Sequence, residues 1–192
     1  LTGATFKKVL KDGARWAAAV TTTAGRILLY DGEPALAVYH STAGATTRSN
    51  QDVWGGAALP YLQAVAVPVQ DSPFAEWSFD LGLDQFLDIL AEAGITFSGG
   101  VTAITTVATA SGGGPYRVRF QTPGGTQEVT ATRIQSAMNT YGPVLYGDLL
   151  PAYRPDGKRY PQAVLSPTFT VQTLADAATV RVQGQGWGHQ LG

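Results

Sequence analysis

The chain holds two histidines, His40 and His189, and no cysteine. His40 opens the run His40-Ser41-Thr42-Ala43-Gly44, and His189 lies in Gly184-Gln185-Gly186-Trp187-Gly188-His189-Gln190-Leu191-Gly192. Each follows a strand-like run and sits among small or polar residues, so two readings stay open. Either both imidazoles line one cleft, or each is an isolated loop histidine bonded to backbone. A zinc site without thiolates would need carboxylate partners, and no His-Glu-x-x-His spacing occurs, so neither metal nor other cofactor is expected. Ser41 and Ser49 are candidate nucleophiles, but neither stands in a Gly-x-Ser-x-Gly elbow. A Ser41–His189–Asp52 trio is conceivable, yet generic composition produces such trios. Asp52 precedes Trp54 by two positions. A carboxyl held against an indole can be kept protonated as a general acid; the alternative is an Asp bonded to its own turn. Trp54, Tyr61 and Trp187 are rings of the kind that stack on sugars, or else they close a core. The terminal glycines are not followed by a helix whose N-terminus would face a phosphate. They read instead as points where the backbone passes close to another strand or a ligand.

The elements around these residues are mostly strands. His40–Leu62 loses periodicity after the strand-like run Ala35–Tyr39 and is expected to be an ordered functional loop lying on the surface. Arg26–Tyr30 and Ala35–Tyr39 flank Asp31-Gly32, a hairpin signal, which would deliver His40 at the open end. Residues 1–14 read as a strand or terminal arm broken at Gly13, and Trp16–Thr23 as a short helix or turn running into a strand. Trp77–Leu81, Phe169–Leu174 and Ala178–Gln183 are expected strands. Val101–Ala110, Tyr116–Gln121 and Gln127–Ala131 form an expected meander. Two short helices are expected, at about 83–93 and 132–140. The first has Phe86, Leu87, Leu90 and Ala91 on one face and Asp84 at its cap; the second has Ile134, Ala137 and Met138 inward. Leu149–Gln162 reads as an irregular insertion. The expected class is α+β, strand-dominated, with antiparallel sheets in a single domain spanning 1–192.

Composition narrows the partners. Charged residues make up 14% of the 192 and the net charge is −1. That argues against a nucleic-acid face or polybasic membrane docking. No apolar run reaches membrane-spanning length, and no signal peptide is read at Leu1. The chain reads as a mature or excised segment.

His40-Ser41-Thr42-Ala43-Gly44, then Asp52-Val53-Trp54-Gly55, then Pro60-Tyr61-Leu62, then Gly184-x-Gly186-x-Gly188-His189 resembles the ordered signature of the stage II sporulation protein D (SpoIID/LytB) family. The resemblance implies an extracytoplasmic bacterial protein acting on peptidoglycan glycan strands. Relatives are lytic transglycosylases or amidase enhancers, so a cell-wall amidase or other wall protein is an implied partner. It further implies that His40, Ser41, Thr42, Gly44, Asp52, Trp54, Tyr61, Gly186, Trp187, Gly188 and His189 bind substrate. The family's catalytic Glu lies in an N-terminal helical motif, and nothing in residues 1–15 matches it. The resemblance therefore leaves the catalytic residue of this chain unassigned, Asp52 being a candidate only from its nearness to Trp54. Either an N-terminal portion bearing the Glu was lost or excised, or the chain is a non-catalytic binding, amidase-regulating or assembly module. Ala45 stands where a second Gly is usual, Arg48 where an acid is common, and Gln190 where the family has Gly.

Overall fold

A computed structural model describes residues 3–68, 71–107 and 117–191. The outer parts of two expected strands, 108–110 and Tyr116, lie outside the described residues, as does Gly192. The chain divides into two compact units, Leu1–Ala37 and Val38–Gly192.

The first unit is a helix, α1 (Gly3–Thr22), followed by a minimal hairpin of β1 (Leu29–Tyr30) and β2 (Glu33–Pro34). This corrects the strand or arm expected over 1–14; at Trp16–Thr23 the helix of the two expected alternatives is present, and no strand continues it. Gly13 lies inside the helix with open space around it, so it costs some propensity without breaking the element. Ala17-Ala18-Ala19 favours helix, and the β-branched run at Thr21–Thr23 and Gly25 at φ 75° end it. The turn at Asp31 (φ 51°) and Gly32 (φ 84°) is the one the Asp-Gly signal anticipates. The paired strands are only two residues long, however, and Ala35–Tyr39 forms no strand. Trp16, Ile27 and Leu28 are exposed.

The second unit is α+β, with antiparallel sheets. Among the described residues of the whole chain, strands outnumber helices eight to four. β3 (Glu76–Gly82), β7 (Phe169–Thr173) and β8 (Thr179–Gln185) form one sheet in the order β3-β8-β7. β4 (Ala103–Val107), β5 (Arg117–Thr122) and β6 (Gly125–Thr130) form the expected meander. Strict alternation in β3 buries Trp77, Phe79 and Leu81 on one face, and β8 opposes them with Val180, Val182 and Gly184. Thr106 of β4 links the two sheets: its hydroxyl accepts from the Val171 amide at 2.7 Å.

The two expected helices are present. α3 (Leu83–Glu92) buries Phe86, Ile89 and Leu90, whereas Ala91 is exposed and Leu87 only half-buried. Its start is closed by Gln85, whose side-chain oxygen accepts from the Gly82 amide; Asp84 lies in the first turn and does not cap. The last helix, α4 (Ala131–Leu145), buries Ile134, Ala137 and Met138 as expected. It runs past Gly142, because that glycine is a packing site and not a stop. A Cβ there would lie 2.9 Å from Leu150 Cδ1. None of the described helices is long and apolar enough to cross a membrane.

The stretch Leu149–Gln162 is ordered against the core: Leu150 and Tyr160 are buried, and Tyr153 bridges Arg159.

Candidate functional site

The His40–Leu62 stretch is exposed along part of its length, including Ser41, Trp54 and Gly55, and is anchored by buried residues. Thr42, Ala43, Thr47, Arg48, Asn50, Asp52 and Leu62 are all buried. It contains a short helix, α2 (Asn50–Trp54), which is too brief to leave a periodic signature. Ser49 caps it by accepting from the Asp52 amide. Asn50 holds the return of the chain: its amide group donates to the Ala57 carbonyl at 2.7 Å and accepts from the Leu59 amide at 2.8 Å. The polar composition is thus consumed inside the stretch, as buried backbone demands.

The C-terminal tail threads this stretch. Ser41 and Thr42 amides both donate to the Trp187 carbonyl, at 3.1 and 3.2 Å, and the Trp187 amide donates back to Thr42 at 2.8 Å. The Arg48 amide donates to the Gln190 carbonyl at 2.7 Å. Close approach constrains every second residue of the glycine run, Gly184 within the sheet and Gly186 and Gly188 at the crossing. A Cβ on Gly184 would lie 2.2 Å from the Trp77 indole, and Gly186 (φ 72°) passes against the Thr42 carbonyl. Gly188 (φ 106°) abuts His40 Cβ. These glycines are close-approach positions. Gln190, fully buried, adopts φ 61°, a left-handed conformation that favours glycine. Its side chain compensates by donating to the Gln185 carbonyl at 2.6 Å and accepting from Thr168.

Threading brings the histidines together. Their ring centroids are 5.7 Å apart in an edge arrangement, and the Trp54 ring lies 5.7 Å from His189 on a tilt. His189 Nδ1 accepts from the Leu191 amide at 3.1 Å. With Nδ1 accepting, the ring's donor is Nε2–H, which is available to a ligand. Burial pushes the His40 pKa below the ordinary imidazole value. His189 lowers it further, and a backbone hydrogen bond at Leu191 acts in the opposite direction. His40 Nδ1 is buried without a hydrogen-bond partner.

Trp54, Trp187, Gly188 and His189 line a cleft of about 290 Å3. Trp54 is exposed and free to stack, whereas Trp187 is half-buried with its ring 4.8 Å from Phe74. Thr42 and Gly186 are buried in the joint beneath. The remaining expected site residues lie elsewhere. Gly44 lines a larger, mainly apolar groove of about 570 Å3 with Ala43, Ala45, Pro73 and Arg154. That groove carries neither a histidine nor an aromatic ring, although Glu76, Arg154 and Asp156 are among its lining residues. Tyr61 is half-buried and is not part of the cleft wall. Ser41 is exposed, its hydroxyl 3.4 Å from that of Thr42. Asp52 is buried beside Arg48 in a separate small void near the start of α4, and its Oδ2 has no partner. The Ser41–His189–Asp52 trio is therefore not assembled: the His189 nitrogen that would face an aspartate is taken by Leu191. Among the described residues, no group of three or more His, Asp or Glu converges as a metal site.

Gln135 of α4, Gln162, Leu165 and Pro167 complete the cleft wall. Gln135 and Gln162 both donate to the Val164 carbonyl, which is distant in sequence from Gln135 and two residues from Gln162, and no local motif marks either. The chain matches no protein-family model, and no curated protein is found to be similar to it.

Proposed function

We propose that the second unit is a glycan-binding domain of the stage II sporulation protein D type, acting on peptidoglycan strands outside the cytoplasm. What supports the reading is that the separated words of the resemblance interlock. The His-Ser run, the Asp-Val-Trp-Gly helix and the Gly-x-Gly-x-Gly-His tail meet at one place, and the carrying observation is the row Trp54–His189–His40 beside an open cleft. Trp54 offers an exposed platform for a sugar ring, and His189 Nε2–H a donor for its oxygen. In a lytic transglycosylase of this type, one carboxylic acid protonates the glycosidic oxygen. The resulting carboxylate then takes the C6 hydroxyl proton of N-acetylmuramic acid, leaving a 1,6-anhydro end. A second reading, holding the strand without cutting it, is favoured by one feature: among the described residues no carboxylate lines this cleft, and Asp52 is buried away from it. An amidase or another wall protein would be the partner of such a holding module.

The test is calorimetric titration of the chain with purified glycan strands. Trp54→Ala and the double variant His40→Ala/His189→Ala are each expected to weaken binding by about tenfold or more while the circular dichroism spectrum is kept. Asp52→Asn is expected to stay within about twofold. Unchanged binding in both weakening variants would remove the cleft from consideration.

A further inference from the structure

Both histidines meet the C-terminal tail at Leu191, which is buried. The lone pair of His189 Nδ1 receives the Leu191 amide proton at 3.1 Å. A proton on that nitrogen would leave two donors facing each other with no acceptor between them. His40 lies under the same crossing. Gly188 abuts its Cβ, its ring stands 5.7 Å from that of His189, and it shares a hydrogen bond with the Leu191 backbone. Its Nδ1 is buried without a partner, so a proton there would charge a half-buried ring at an atom that nothing receives. Among the described residues, no carboxylate faces the pair to balance such a charge. α4 meets the cleft with Thr132 and Gln135, and residues 162–167 and 184–188 hold no charged side chain. Arg48 of the loop and Asp52 of α2 line the separate void at the start of α4, and Arg133 of α4 turns to the Gly94 carbonyl.

The crossing itself is held at few points: the Thr42–Trp187 exchange, the Arg48–Gln190 bond and the His189–Leu191 bond. We propose that His40 and His189 together form an acid-sensitive latch on the tail, closed while the rings are uncharged and released as they take up protons. Release exposes both rings to water, so the released state binds protons better than the docked one, and acidification favours release. The sign agrees with the burial of His40 and the neighbouring ring, which lower its pKa against the one raising contact at Leu191. Consider a ring that takes no proton when docked and titrates near the ordinary value of about 6.5 when released. It raises the released fraction by about thirtyfold between pH 7.5 and 5. That is the ceiling for one ring, and partial protonation of the docked form lowers it. Trp187, Gly188 and His189 line the cleft, so release removes one wall of it. Acid thus switches the site off through the tail, whatever the cleft binds, and the latch stands apart from the glycan reading.

Hydrogen exchange of backbone amides, read by NMR on the full chain without ligand, tests the latch. Exchange is expressed as protection factors, which remove the intrinsic effect of pH. The Arg48, Trp187 and Leu191 amides report the crossing. Val171, whose amide is bonded to Thr106 in the core, is the reference that cancels global unfolding. From pH 7.5 to 5, protection of the three crossing amides should fall about fivefold or more relative to Val171. A smaller fall overturns the latch. So does a fall at Leu191 alone, which would mean that one bond is lost while the crossing holds. The double variant His40→Gln/His189→Gln keeps a carboxamide acceptor and cannot titrate, so its ratio should stay within about twofold. A larger change there assigns the effect to Asp52 or another carboxylate and overturns the proposal. Should that variant not fold, the imidazole Cε1–H resonances of the unaltered chain decide. A tail transition that shares its midpoint with at least one ring supports the latch, and one that matches neither overturns it.

Discussion

Replacing Gly184 by Ala tests the packing that routes the tail into the site. Gly184 sits on β8 opposite Trp77 of β3, and its backbone is in an ordinary region, so alanine is conformationally allowed there. The cost is steric. The new Cβ would lie 2.2, 2.6 and 2.7 Å from Trp77 Cζ2, Cη2 and Cε2. Carbon–carbon contact needs about 3.5 Å, so the indole must retreat by roughly 1 Å. Trp77 is buried, stacked on Phe79 and tilted on Phe169, with little room to move. Overpacking of this kind costs about 1–3 kcal/mol. The retreat also strains the Trp77 Nε1–H bond to the Gly186 carbonyl, 3.0 Å and buried, whose loss costs about 1–3 kcal/mol more. The expected destabilisation is therefore about 3 kcal/mol, a large share of the roughly 5–15 kcal/mol that holds a domain together. Urea denaturation followed by tryptophan fluorescence reads it. Trp77→Phe removes the outer ring edge that collides, so in that background Gly184→Ala should cost under about 1 kcal/mol. Equal cost in both backgrounds, or a single-variant effect within about 0.5 kcal/mol of zero, would refute the reasoning.

Two further outcomes are expected. At Gln190, alanine should be worse than glycine by about 1 kcal/mol, the reverse of the usual order, when their urea midpoints are compared. Both lose the side-chain bonds to Thr168 and Gln185, but only alanine keeps the left-handed strain at φ 61°. His40 should make stability fall on acidification. Its folded pKa is lowered, so the unfolded chain takes up the proton first. Its contribution is complete above the ordinary imidazole value and is lost as pH falls through the depressed one. Denaturation midpoints at pH 7.5 and 5 should therefore differ more for the unaltered chain than for His40→Gln.

How much of this was legible in the sequence depends on how local each cause is. Alternation in Trp77–Leu81 marks β3 because every second side chain meets the same core. The helical spacing of Ile134, Ala137 and Met138 marks α4 for the same reason. Where a distant group decides, the sequence is silent or misleading. Gly142 resembles a helix stop, but Leu150 is what requires it. Gly13 resembles a break and is tolerated. The buried Arg48 and Gln190 contradict any composition-based guess, because the burial follows from the tail crossing the loop. The histidine pair was legible as two similar contexts, whereas Gln135 was not, since the Val164 carbonyl it bonds lies 29 positions away.

That construction ties binding to docking of the tail. Trp54 rides on α2, inside a stretch with few regular ladder bonds of its own, and His189 lies beyond the end of β8. Neither element holds the other side chain in place by itself. What fixes both is the joint: the Thr42–Trp187 exchange, the Arg48–Gln190 bond and the Gln190 side chain in its buried cage. A change at Gln190, which touches no cleft surface, should therefore lower glycan affinity together with stability, whereas Trp54→Ala should lower affinity alone. The two variants separate a residue that contacts sugar from one that only lets the contact surface exist.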